Sequence, residues 1–248
     1  MPEIITLILV LFAGIATGFV DSTVGGGGLI SIPALISLGL PPHVAIATDR
    51  LGSVGQKLAS LPKYWKAKKI IWKYVSILTI ISLISAFIGA NVLLRIDKKV
   101  LQNLVGILLF ILLPLIFVKR EIGTIKKSTS KIKKFLGLIL FSILMTFAAF
   151  FGGGVGPLIY YVLMFFLGLT IIEANATMNI PYFLLALFSL IIFALNGIID
   201  YRNGIVLFTG MAIGGYIGAH VALTKGNLWV KRLFAVVVIL SGIKLLFF

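Results

Sequence analysis

The sequence contains no cysteine, two histidines and seven acidic residues among its 248 positions. Without cysteine the chain cannot form a disulfide, a thiolate metal site or a cysteine nucleophile. His43 and His220 are far apart in the chain, which argues against a histidine metal cluster. Because the carboxylates also show no paired arrangement, we expect no enzymatic activity and no cofactor.

Charged residues of any sign are scarce as well. They make up 12% of the chain, whereas soluble domains average about 25%. Hydrophobic residues reach 60%, and the mean hydropathy is +1.17. So few charges cannot cover a globular surface in water, which excludes a soluble enzyme. The composition indicates an all-α polytopic membrane protein.

The charges that are present are mostly basic, with 22 Lys and Arg residues and a formal net charge of +15. They cluster in short gaps between long apolar runs rather than on one face or helix. In multispanning proteins such gaps are cytoplasmic loops. We therefore expect a multi-pass protein of the cytoplasmic membrane, with membrane lipids and not nucleic acid as partners.

The chain reads as a duplication, because similar residues recur 129 positions apart. The matching pairs are 38–40 with 167–169, 45–48 with 174–177, and 88–90 with 217–219. A unit of this length is too long for a solenoid repeat and is typical of transporter-like membrane folds. The predicted organisation is a first repeat at 1–118, a basic cytoplasmic linker at 119–134 and a second repeat at 135–248.

Each half contains five apolar segments, of which the second is too short to cross a bilayer. The segments lie at 4–20, 26–39, 43–61, 70–94 and 99–118, then at 135–151, 155–168, 171–195, 203–223 and 229–247. A full span takes about 20 residues. Because both short segments follow a glycine cluster, we predict a broken or half helix that starts at a glycine-rich turn.

The distribution of basic residues predicts how the halves are oriented. With the N-terminus outside, the loops at 62–69, 119–134 and 224–232 fall inside and carry four, seven and three basic residues. The outer loops at 95–99 and 196–202 carry three and one. Five crossings per half make the repeats inverted. If the short segments instead return to the same face, the repeats are parallel and two strongly basic loops lie on opposite sides.

The two glycine clusters are the main candidates for a binding site. They are Gly25, Gly26, Gly27 and Gly28 in the first half, and Gly152, Gly153, Gly154 and Gly156 in the second. The first N–H groups of a helix are unpaired, and its dipole favours an anion there. Two such helix ends brought together would bind a small anion. The alternative is close helix packing through small residues.

The third segment of each half adds polar candidates. Thr48, Asp49 and Arg50 follow the first short helix, and Thr177 and Asn179 take the equivalent place in the second half. Arg50 is expected to contact an oxyanion, with hydroxyl and amide contacts from the others. The alternative is that the charges lie at interface depth and reach for water.

Two carboxylates are candidates for proton coupling, namely Asp49 and Asp21. Asp21 immediately precedes the first glycine cluster, so capping of the short helix is the favoured role for it. The linker at 119–134 is basic and has no apolar face, so we expect it to bind anionic lipid headgroups. A regulatory partner is the alternative.

These motifs resemble the TauE/SafE family, also called the sulfite exporter or toluene sulfonate uptake permease family. The resemblance rests on GGGGLISIPALISLGLPPHVAIAT in the first half and GGGVGPLIYYVLMFFLGLTIIEANAT in the second. It covers nearly the whole chain. Asp49-Arg50 stands where the family commonly has a small hydroxyl residue after Thr48, and Tyr160-Tyr161 where it has a proline.

The resemblance implies a secondary transporter of small anions, such as sulfite, sulfonates or related organosulfur compounds. By motif, it implies binding roles for the glycines of both turns, Pro33, Thr48 and Thr177. Rocking of one repeat against the other would alternate access, with coupling to protons as one version of the hypothesis. A passive anion channel and a transporter of a non-sulfur anion are the alternatives. Homodimers are common for such folds.

Overall fold

In its described part the chain folds into six long helices and two short ones. A computed structural model describes residues 3–97, 122–152 and 155–247. The helices in these ranges are α1 (Glu3–Thr23), α2 (Gly28–Ser37), α3 (Pro42–Lys66), α4 (Trp72–Arg95), α5 (Lys131–Phe151), α6 (Gly156–Phe166), α7 (Ile171–Leu195) and α8 (Tyr201–Phe247). Helix α8 is kinked at Gly226, which has a φ of 79°. Helix α5 begins four residues before the segment predicted at 135–151.

Within the described ranges, five helices are long and apolar enough to cross a membrane: Glu3–Thr23, Trp72–Arg95, Lys131–Phe151, Ile171–Leu195 and Tyr201–Val236. Helices α2 and α6 have 10 and 11 residues, which at 1.5 Å per residue cover about half a bilayer. Both begin at a glycine, so the prediction of glycine-initiated half helices is confirmed. The predicted segment 99–118 lies outside the described residues.

Helix α3 is long enough to cross but carries charges in its middle. Its 25 residues include Asp49, Arg50 and Lys57, whose exposed fractions are 1%, 1% and 2%. It packs between α7 and α8 and also contacts α2. The alternative that these charges reach for water is therefore wrong, because all three side chains are enclosed by protein.

Helices of each half of the chain pack against helices of the other half. Helix α1 of the first half packs against α8 of the second, and α5 of the second half packs against α4 of the first. Where α1 meets α8 the backbones touch through glycines. A Cβ built on Gly18 would lie 2.2 Å from Met211 O, and one on Gly214 would lie 2.0 Å from Ile15 O. Small residues thus set the distance between these helices.

Two equivalent hydrogen bonds join the halves. The backbone N–H of Asp200 donates to Thr48 Oγ1 (3.1 Å), and that of Ile71 donates to Thr177 Oγ1 (3.0 Å). Donors and acceptors are each 129 positions apart, which matches the repeat offset in the sequence. Since the start of α3 meets the end of α7 and the start of α7 meets the end of α3, these two helices run in opposite directions.

The basic segments gather at one end of the molecule. Asn227 Nδ2 donates to Thr124 O (3.3 Å) and Lys231 Nζ donates to Ile122 O. The kinked region of α8 therefore packs against the linker. The linker in turn shares a cleft with the start of α4. At the other end of α8, Arg202 forms an ion pair with Glu3. We call the first end the basic face.

Candidate functional site

The two glycine turns meet in the interior. Gly25 and Gly26 have φ values of +77° and +82°, in the left-handed region that favours glycine. A Cβ on Gly156 would lie 2.6 Å from Gly26 N, and one on Gly25 would lie 2.7 Å from Tyr160 Cε2. A Cβ on Gly26 would likewise meet Pro157 at 2.9 Å. The turn before α2 and the start of α6 are therefore in backbone contact, which any side chain would block.

The remaining glycines of the two clusters lie close by. Gly28 is the first residue of α2 and is buried, and Gly27 packs against the backbone of α1 at Thr17. Gly152 ends α5 with a φ of +98°, and a Cβ there would lie 4.0 Å from Asp49 Oδ2. Gly153 and Gly154 lie outside the described residues.

Asp21 joins the first turn to α3. Its Oδ1 accepts the N–H of Gly27 (3.2 Å), and its Oδ2 pairs with Lys57 Nζ (2.8 Å). The pair is nearly enclosed, with 14% of the Asp21 side chain and 3% of the Lys57 side chain exposed. The capping role predicted for Asp21 therefore has a hydrogen bond to support it. Lys57 Nζ also lies 5.1 Å from the ring centroid of Tyr182, a cation–π contact.

Asp49 and Arg50 point in different directions, as adjacent helical residues must. Asp49 Oδ1 accepts the hydroxyl of Ser31 in α2 (2.5 Å). Arg50 reaches the end of α5, where its guanidinium donates to Ala148 O and to Ala149 O, the latter at 2.8 Å. These carbonyls belong to the last turn of α5, the negative end of the helix dipole. Arg50 thus ties α3 to the residues just before the second glycine turn.

The other predicted site residues contact protein groups in this structure. Thr48 and Thr177 accept the interrepeat hydrogen bonds given above. Asn179 Oδ1 accepts the hydroxyl of Ser60 (2.7 Å), and its Nδ2 donates to Asn175 O (3.0 Å). The structure therefore brings the glycine turns, Asp49 and Arg50 together, whereas both threonines lie at helix ends that they help to fix.

Several polar residues of this core do not stand out in the sequence. Ser31 binds Asp49, and Tyr160 OH donates to Asn175 Oδ1 (3.3 Å), whose Nδ2 donates to Ser22 O (2.7 Å). The hydroxyl of Tyr182 is buried without a partner among the described residues. A usable signal was the spacing of Asn175 and Asn179 by one helical turn inside an apolar run.

Two charged atoms in the core lack a partner among the described residues, namely Asp49 Oδ2 and Arg50 Nε. A buried charged atom without a partner is costly, and such atoms mark sites that a ligand, water or proton can satisfy. Asp49 Oδ2 lies beside the turn at Gly152. Arg50 donates to the carbonyls of Ala148 and Ala149, which come just before that turn. The described residues contain no group of three or more metal-ligating side chains.

Comparison with known proteins identifies the family of the chain. A model of the family described as "Sulfite exporter TauE/SafE" matches residues 10–245. The chain belongs to this family. A relative from Haemophilus influenzae, named "Probable membrane transporter protein", is 25% identical over 244 residues, which cover 98% of this chain and 96% of that protein. The resemblance inferred from the glycine motifs is thereby confirmed.

Relatives from other bacteria carry the same kind of name. YfcA of Escherichia coli K12 is 25% identical over 96% of this chain and 89% of its own length. YdhB of Bacillus subtilis is 25% identical over 97% of this chain and 99% of its own. Both are named probable membrane transporter proteins, and no solved structure matches the chain. As a member of this family with five spanning helices in its described part, the protein is a multi-pass membrane protein of the cytoplasmic membrane.

Proposed function

We propose that this family member is a secondary carrier that moves a small anion, namely sulfite, a sulfonate or a related organosulfur anion, across the cytoplasmic membrane. The observation that carries the proposal is the contact between the two glycine turns beside Asp49 and Arg50. Transport and not catalysis is favoured because the relatives are named as transporters. The family description supports a sulfur-containing substrate.

The anion binds where the turns meet. The starts of α2 and α6 present the positive ends of two helix dipoles, and glycine lets a ligand approach the backbone closely. In this structure the turns are packed against each other, and the N–H of Gly27 is taken by Asp21. Substrate therefore enters when the turns separate, and Arg50 Nε adds a charged donor.

Alternating access follows if the repeats are inverted. The opposite directions of α3 and α7, and the equivalent hydrogen bonds at Thr48 and Thr177, support an axis in the membrane plane. Such an axis makes the two faces of the carrier structurally alike. Rocking about the Thr48 and Thr177 contacts then opens the glycine turns to one face and then to the other.

Proton coupling follows from the balance of charge in the core. Asp21 and Asp49 oppose Arg50 and Lys57, so the four charges cancel before a substrate binds. An anion would leave an uncompensated negative charge in a medium of low dielectric, which is costly unless a proton accompanies it. Both oxygens of Asp21 are engaged, whereas Asp49 Oδ2 has no partner among the described residues. Asp49 is therefore the proton carrier of this proposal.

Replacing Asp49 by asparagine tests the coupling. The amide keeps the size of the side chain and can still accept the hydroxyl of Ser31, but it cannot take up a proton. We expect sulfite uptake into proteoliposomes to lose its stimulation by an imposed pH gradient, while exchange of sulfite for sulfite continues.

The matched control is Asp200→Asn, because Asp200 lies at the start of α8 and binds Asn203 there. This variant should keep the pH-gradient stimulation of the wild type. Full stimulation in Asp49→Asn would refute proton coupling through this residue. If neither protein moves sulfite or sulfonate but another anion exchanges, the carrier stands and the sulfur assignment fails.

A further inference from the structure

An open cleft lies on the basic face, away from the glycine turns. It has a volume of about 480 Å³, within the range of small-molecule sites. Its polar lining consists of Lys73, Lys126, Lys127, Lys134, Ser128 and Thr129. Ile71, Tyr74, Leu167 and Leu169 complete the lining. The cleft therefore combines four basic side chains and two hydroxyls with an apolar portion of wall.

The lining carries an excess of positive charge. Glu173 contacts this lining, with its Oε1 at 3.5 Å from Lys126 Nζ. That contact is weak because 62% of the Lys126 side chain is exposed, and Glu173 also accepts the N–H of Thr170 (3.0 Å). The described residues that line the cleft include no carboxylate. Lysines brought together in this way repel one another unless an anion lies between them.

The linker is fixed in place to form the cleft. The N–H of Lys127 donates to Gly168 O (3.0 Å), and the N–H of Ile171 donates to Gly123 O (2.8 Å). The opposite wall is the first turn of α4, which belongs to the first repeat. Lys134 lies in the first turn of α5, so two helix starts add their dipoles. The walls come from both repeats and the linker, so a bound anion would join them.

We propose that this cleft is a second anion site, one that binds a phosphate group. Lysine is a common phosphate ligand, and the hydroxyls of Ser128 and Thr129 can donate to phosphate oxygens. The phosphate comes either from an anionic lipid headgroup, with Leu167, Leu169 and Ile71 beside its glycerol and acyl carbons, or from a soluble phosphate. The proposal does not rest on the transport cycle.

Thermal unfolding of the purified full chain in detergent tests the site, because a ligand that joins the two repeats raises the unfolding midpoint. The probes are phosphatidic acid, phosphatidylcholine as the zwitterionic lipid, and inorganic phosphate against chloride at equal ionic strength. The test variant is Lys73→Gln with Lys134→Gln. The control, Lys66→Gln with Lys225→Gln, removes the same charge from exposed positions that do not line the cleft.

We expect phosphatidic acid to raise the midpoint of the wild type and of the control by about 5 °C, and that of the test variant by much less. A similar rise with inorganic phosphate identifies the phosphate group itself as sufficient. A rise with phosphatidic acid alone identifies the lipid as the source. Equal shifts in the test and control variants, or no shift in the wild type with either phosphate probe, would overturn the proposal.

Discussion

Replacing Arg50 by alanine is expected to lower the free energy of unfolding by about 3 kcal/mol and to abolish transport. The guanidinium is 1% exposed and donates to the carbonyls of Ala148 and Ala149 at the end of α5. Alanine leaves both carbonyls buried without this donor and removes a positive charge that balances the negative charges of the core. The end of α5 then loses its link to α3 just before the second glycine turn.

Two further variants make the Arg50 result interpretable. Arg50→Lys keeps the charge but lacks the planar fork that reaches two carbonyls, so its loss should be smaller. Arg202→Ala removes an arginine whose side chain is 59% exposed and pairs with Glu3, so its effect should stay within about 0.5 kcal/mol. Thermal unfolding in detergent, with flux normalised to folded protein, measures both effects. Wild-type stability and flux in Arg50→Ala would contradict the role of this contact.

A methyl group at Gly156 should also have a large effect. Its Cβ would lie 2.6 Å from Gly26 N, a backbone atom that cannot turn aside as a flexible side chain could. Relief requires the turn before α2 to move away from α6, at a cost of about 1–3 kcal/mol. Because the substrate is proposed to bind between these turns, the flux of Gly156→Ala per folded protein should be more than tenfold lower than that of the wild type.

The matched control for Gly156 is Gly197→Ala. Gly197 has a φ of +66° and nothing within 4 Å of a built Cβ, so alanine there costs only backbone strain, about 1 kcal/mol. Gly156 is not among the glycines with a positive φ, so Gly156→Ala tests the contact of the turns, whereas Gly197→Ala tests backbone strain alone. A Gly156→Ala protein with the flux of Gly197→Ala would show that close contact of the turns is not needed for transport.

Much of the architecture could be predicted from the sequence because it depends on local properties. The half helices follow from a run of glycines and from too few apolar residues to span a bilayer. The common face of the basic segments at 62–69, 122–134 and 224–232 follows from where lysine and arginine are placed. The recurrence of Thr48 as Thr177 marked the residues that join the two repeats.

The partners of those residues could not be predicted in the same way. Thr48 and Thr177 are predicted to bind the substrate, and in this structure each accepts a backbone N–H at a helix start of the other repeat. Arg50 was expected at an oxyanion, and it binds carbonyls 98 and 99 positions further along the chain. Helical periodicity tells which face a residue occupies but not which segment packs against that face. Only the tertiary arrangement of α3, α5 and α7 supplies those partners.

Sulfite counterflow in proteoliposomes tests the central claim, that this protein is an anion carrier, most directly. Vesicles loaded with unlabelled sulfite, or with chloride at equal ionic strength, would be diluted into a trace of labelled sulfite. The binding site of a carrier returns to the outer face faster when it carries unlabelled sulfite outward. We therefore expect uptake of label that is saturable and several-fold faster into sulfite-loaded vesicles. Uptake that is equally fast into chloride-loaded vesicles and does not saturate would contradict the carrier mechanism and indicate a channel.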